Sequence, residues 1–194
     1  MPSTAPVAPP DLPRVERAPH RLEHPMSVIS RPHSSTSPRT TVPPSLRPSP
    51  LRTALRLAAD PSVWRPHVDF DPDRRYFRRL LADERSEAWL LTWLPGQGTM
   101  WHDHGGSGGA FVVLQGALVE GTAVHGLVRG TRHIHRRGVA HAFGPDYVHR
   151  VTNDGPDPAV SLHVYTPRLE WQHDYVSEDG ILRRVATRRE GDDW

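Results

Sequence analysis

Residues 96–116 read GQGTMWHDHGGSGGAFVVLQG, and this stretch sets the fold. It carries two histidines one residue apart, His102 and His104, at the start of a glycine-rich turn. On a strand, residues i and i+2 point to the same face. The pair can therefore grip one metal ion from one side. A third ligand must come from elsewhere, and the best candidate is His149, inside the run Tyr147–Asn153, YVHRVTN. The rest of the chain reads as a barrel that brings these three imidazoles together.

Working outward, short runs of β-type residues alternate with Gly, Pro, Asn and Asp clusters. They are 75–81, 88–94, 110–115, 117–124, 131–136, 148–152 and 160–165. Intervals of about ten residues mark a sandwich or closed barrel rather than a βαβ fold. One helix precedes them. In 49–60, SPLRTALRLAAD, apolar Leu51, Ala54, Leu55 and Ala58 fall at helical spacing. Ser49 stands as cap, Pro50 as first-turn residue, and Asp60-Pro61 as terminator. The expected organisation is a tail over 1–48, a β-barrel domain over 49–175 and a charged, loosely held C-terminal tail over 176–194.

The first 50 residues hold 13 of the 21 prolines and no Phe, Trp or Tyr, so they bury too little apolar surface to offset chain entropy. They are expected to be disordered, or to be an over-long start with Met26 as the true initiator. Their six arginines against three acids exceed the net charge of the whole chain, +2. The body is thus close to neutral, which argues against a nucleic-acid face. Every basic residue is Arg, a composition bias rather than a functional one. Cysteine is absent, which excludes disulfides and a thiol nucleophile. No run approaches the length of a membrane span, and the N-terminus lacks the apolar core of a signal peptide. A cytoplasmic protein is expected, with no membrane or nucleic-acid partner.

Three neutral imidazoles on a rigid scaffold occupy one face of a metal ion and leave its other positions open. They also leave the full +2 charge of a divalent ion uncompensated, so the open face favours an anionic ligand such as a thiolate. Iron(II) suits oxygen chemistry there, and zinc would suit hydration or hydrolysis. The pair His133 and His135 has the same spacing but is flanked by Arg132, Arg136 and Arg137, which repel a cation. It reads as a solvated strand face. His125 and His141 read as structural or exposed.

The frame around the pair resembles the first motif of the cupin superfamily. Gly96, five residues, His102-Asp103-His104, four residues, Gly109, six residues and Gly116 keep its intervals, with Gly109 in place of the usual Glu ligand. Gly138, Gly144-Pro145-Asp146, His149 and Asn153 resemble the second motif, with its Pro-x-Gly turn altered. The resemblance covers about residues 75–168. It implies an all-β, jelly-roll-like cupin barrel with an internal metal, here preceded by the short helix and the tail.

A cupin without the Glu resembles the thiol dioxygenases, the cysteine dioxygenase family above all. Ser161-Leu162-His163-Val164-Tyr165 is similar to that family's Ser-x-His-x-Tyr segment, and the three polar residues share a strand face. The resemblance implies that the trio sits beside the metal, that Tyr165 and His163 are catalytic, Tyr165 contacting substrate and His163 orienting it, and that Ser161 binds substrate. Tyr76-Phe77-Arg78 is similar to the Tyr-x-Arg segment, which implies that Arg78, with Tyr76, binds the substrate carboxylate, Arg79 pointing outward. Related 3-mercaptopropionate dioxygenases carry Gln where Arg78 stands. In the animal enzymes a Cys at the position of Gly109 crosslinks to the residue corresponding to Tyr165; this chain has no Cys, and bacterial members also have Gly there.

The resemblance thus implies Fe(II) on His102, His104 and His149, and a monomer that oxidises free L-cysteine with O2 to cysteine sulfinate. Alternatives are another small thiol, 3-mercaptopropionate or cysteamine, a non-enzymatic ligand-binding cupin, and a metal-dependent isomerase or hydrolase.

Overall fold

The computed structural model describes residues 49–189. The expected tail over 1–48 and the last five residues lie outside the described residues. Helix α1, Pro50–Ala58, follows Ser49 at the cap position, although the Ser49 side chain makes no capping bond. It buries Ala54 and Leu57, while Leu55 is 46% exposed. The apolar face is therefore turned by part of a turn from the expected one. A single turn, α2 (Pro61–Trp64), is capped by Asp60, which accepts from the Ser62 N–H at 3.1 Å.

Among the described residues eleven strands follow: β1 Phe77–Ala82, β2 Glu87–Trp93, β3 Trp101–Asp103, β4 Gly108–Gln115, β5 Ala117–Val124, β6 Leu127–Arg136, β7 Ala140–Phe143, β8 Val148–Thr152, β9 Ala159–Thr166, β10 Trp171–Glu178 and β11 Ile181–Arg189. One sheet has the order β1-β2-β9-β4-β7. The other runs β10-β11-β6-β5-β8-β3 and closes through the pairing of β3 with β10. This is the all-β cupin barrel that the motifs imply.

Strict alternation sorts the central strands of the first sheet. Ala88, Leu90, Ala110, Val112, Val160, Leu162 and Val164 face outward and are covered by α1 and Trp64. Trp89, Leu91, Trp93, Phe111, Val113, Ala159 and Tyr165 face inward, where they meet Leu118, Phe143 and Val151. That inner layer also holds buried Arg75, His102, His104, Glu120, His149, Ser161 and His163. A buried polar group without a partner costs about 1–3 kcal/mol. The barrel interior is therefore a place where polar groups are either bonded to one another or kept for a ligand.

The C-terminal reading needs correction. The stretch from residue 176, expected to be a loose tail, finishes β10 and forms β11. The two strands pair from Trp171↔Arg189 to Glu178↔Ile181. β11 buries little apolar surface and is held by backbone pairing and by the Arg188–Asp174 ion pair, 2.5 Å, so apolar periodicity does not reveal it.

Candidate metal centre

β3 is only three residues long, but it lies between β8 and β10. His102 stands directly opposite His149 across the β3–β8 pair. His104 follows two residues later and shares the face of His102. The ring centroids of the three imidazoles are 4.6 to 5.1 Å apart. One nitrogen from each can be chosen so that all lie within 4.8 Å of one another, and all three residues are buried.

The donor set fits a divalent metal. His102 Nδ1 lies 3.0 Å from the Met100 carbonyl, so it donates there and leaves Nε2 as a lone-pair ligand. His149 Nδ1 lies 2.6 Å from Glu120 Oε1, with the same effect. Both ring nitrogens of His104 are buried and have no hydrogen-bond partner among the described residues. An unpartnered buried imidazole is costly unless a ligand takes it. Burial, with the charges of neighbouring histidines, holds the pKa of His102 and His104 well below 6.5, so both are neutral and able to ligate.

Gly109 stands opposite Tyr165 on β9, on the inward face of β4. A Cβ added there would lie 2.6 Å from the Val164 carbonyl oxygen and 2.7 Å from the Phe143 ring. No side chain fits. Phe143 fills the space instead and stacks on His104 with centroids 4.8 Å apart.

Ser161, His163 and Tyr165 all face inward and are buried. Trp93 Nε1 donates to Ser161 Oγ at 2.9 Å, and Ser161 Oγ lies 2.9 Å from His163 Nε2. His163 Nδ1 is 3.5 Å from the Tyr165 hydroxyl, a long contact. Burial and the charges of His149 and Arg75 push His163 down to about 3. Burial above all raises Tyr165 beyond the ordinary tyrosine range, so the phenol stays protonated.

The expected carboxylate-binding pair, Tyr76 and Arg78, is not at the site. The two do share a face, but it is the outer one: Arg78 is exposed and pairs with Leu90, whose side chain belongs to the layer under α1. Phe77 takes the inward phase, opposite Leu91 and against Trp89 with centroids 6.0 Å apart. Packing of Phe77 in this phase puts Arg75 inside. Arg79 stays exposed at the sheet edge, over Trp89 at 5.4 Å from the ring centroid and 3.8 Å from Glu87.

Arg75 is the arginine of the pocket. It is buried, lies 4.8 Å over the Trp93 ring, and its Nε and Nη1 have no hydrogen-bond partner among the described residues. Burial lowers its pKa to about 10, which still leaves it charged at neutral pH. Together with Leu91, Trp93, Thr99, His102, His149, Val151, His163, Tyr165 and Gln172 it encloses a space of about 10 Å³, enough for one water. Thr99 and Gln172 are the half-buried residues of that lining.

The remaining histidines divide. His133 is exposed, as expected, whereas His135 is buried, with Nε2 2.7 Å from Glu120 Oε2. His141 is half-buried and lies 3.1 Å from the Tyr147 hydroxyl, which donates to Glu120 Oε1 at 3.0 Å. Burial alone would raise the Glu120 pKa, but the bonds from His135 and His149 outweigh it and hold the carboxyl well below its usual range. Glu120 was legible as inward, since it alternates with Leu118 on β5. Trp93, Arg75 and Gln172 carried no such signal.

The chain is similar to known proteins over most of its described length. The family model for cysteine dioxygenase type I matches residues 52–178. Cysteine dioxygenase type 1 of Homo sapiens is 30% identical over 139 residues, 66% of this chain and 68% of that protein. The Rattus norvegicus enzyme is 28% identical over 138 residues, with the same coverage of 66% and 68%. Among solved structures, TT1209 from Thermus thermophilus aligns with a TM-score of 0.48 and 25% identity over 54% of this chain and 93% of that one. With a family match that runs from α1 to the end of β10, beside the three-histidine cluster, the chain belongs to the cysteine dioxygenase type I family.

Proposed function

We propose that the protein is an Fe(II)-dependent thiol dioxygenase whose substrate is free L-cysteine and whose product is cysteine sulfinate. The observation that carries the substrate reading is Arg75. Its guanidinium is buried beside the histidine cluster, two of its nitrogens have no hydrogen-bond partner among the described residues, and a carboxylate of a small ligand is the group that satisfies it. This favours a thiol acid over cysteamine, which has no carboxylate.

His102, His104 and His149 would hold the iron through one nitrogen each. When bound, the metal supplies sites for a thiolate and for O2, with the thiol itself as electron source, so that both oxygen atoms reach sulfur. The protein's part is placement and electrostatics. Arg75 fixes the carboxylate end, which aims the sulfur at the histidines. Trp93 donates to Ser161; in the tautomer where Ser161 donates to His163 Nε2, His163 Nδ1 donates to the Tyr165 oxygen. That chain turns the phenol proton toward the pocket, where it hydrogen-bonds the oxygens being added to sulfur. The Phe143, Phe111 and Trp93 walls keep bulk water out.

Oxygen uptake with matched concentrations of L-cysteine, 3-mercaptopropionate and cysteamine tests the reading. L-Cysteine is expected to give the highest kcat/KM, and cysteamine the lowest. Equal rates for all three would remove the carboxylate role of Arg75.

A further inference from the structure

Glu120 is a charged group inside the barrel with three side-chain partners. It is fully buried, and its carboxylate accepts from three side chains on three strands or loops: His149 and Tyr147 at one oxygen, His135 at the other. It reaches His149 diagonally across the β5–β8 pair, because Thr122, two residues on, stands opposite His149. A buried carboxylate is costly in a barrel that has apolar alternatives. Gly109, the position from which a carboxylate would touch the metal directly, admits no side chain.

These facts complement each other. Three neutral imidazoles leave a divalent cation's charge uncompensated, and Glu120 places one negative charge a single hydrogen bond behind the third of them. We propose that Glu120 is a positioning residue of the metal centre: it locks His149 with Nδ1–H toward the carboxylate and Nε2 toward the metal, and supplies through that bond the negative charge that Gly109 withholds. The inference rests on the three-histidine metal reading. A carboxylate behind a ligating imidazole raises its basicity, and its loss typically weakens metal binding 10- to 100-fold.

Cobalt(II) is a suitable probe, titrated against a chromophoric chelator with the full-length metal-free protein. Glu120→Gln keeps the shape and loses the charge; it is expected to bind cobalt about 10- to 100-fold more weakly than wild type, with an unchanged far-UV spectrum and shifted cobalt d–d bands. Tyr147→Phe removes a neutral donor and leaves the carboxylate on His149; its affinity is expected to stay within about threefold. Equal affinity of Glu120→Gln and wild type overturns the proposal and leaves the metal reading standing. A wild type that takes up no cobalt overturns both. Nitrogen NMR of the zinc-loaded wild type needs no variant: a protonated Nδ1 on His149 supports the proposal, and a metal-bound Nδ1 overturns it.

Discussion

Arg75 and Arg78 lie three residues apart and on opposite faces, and the difference is testable. Arg75→Gln removes a charge-assisted carboxylate contact worth about 1.5–3 kcal/mol, so kcat/KM for L-cysteine should fall about 10- to 100-fold while cysteamine turnover changes little. Arg78→Gln, an exposed change, should leave both within experimental error. Steady-state oxygen uptake separates the two. Tyr165→Phe should lower kcat by about 10² at unchanged metal content, the scale of losing a positioned proton donor. An unaltered rate would leave Tyr165 as packing. Gly109→Ala drives a methyl into the Val164 carbonyl and the Phe143 ring, so a urea melt should show a loss of about 1–3 kcal/mol. His102, His104, His149 and the Ser161–His163–Tyr165 trio were legible because fixed spacings carry them. The arginine was not. In the run RRYFRR either phase places arginines on both sides of the strand, and β2, buried on both faces, offers no polar face to set the register. Phe77 against Trp89 settles it, a contact between strands that local periodicity cannot show.

At the scale of elements, β3 matters most and is least able to stand alone. Its three residues carry His102 and lead into His104, and they are held by β8 on one side and β10 on the other. Asp103, between the two ligands, binds β10 through His173 at 2.8 Å and the Tyr175 hydroxyl at 2.5 Å. Gly105, at φ +57°, then turns the chain so tightly against Trp171 that an added Cβ would meet its carbonyl oxygen at 2.5 Å. The C-terminal hairpin is thus the outer wall of the centre, and it contributes Gln172 to the pocket, with Nε2 fixed on Asp174 at 2.8 Å. Arg188→Ala strips buried Asp174 of its ion pair. Because Arg188 is a third exposed, the loss should be about 2 kcal/mol rather than the full value for a buried pair, and metal retention after gel filtration should fall with it. The sequence hid this hairpin because charged residues fill both of its faces. The central strands, by contrast, were legible from runs of apolar residues between turn signals.

For the whole molecule, one barrel layer does two jobs. Its outer face packs under α1 as an ordinary core, and its inner face trades apolar volume for a line of polar groups that runs from Trp93 through Ser161, His163 and Tyr165 to the histidines. Arg75 enters that layer from one edge and Glu120 from the opposite sheet. Both motif spacing and family membership point to this interior. The most direct measurement is anaerobic loading with Fe(II), followed by L-cysteine and ¹⁸O2 with mass detection of product. The account predicts one iron per chain and cysteine sulfinate that carries two labelled oxygens, with yield lost in His149→Ala. Iron-loaded protein that leaves L-cysteine unoxidised, or a sulfinate carrying oxygen from water, would contradict it.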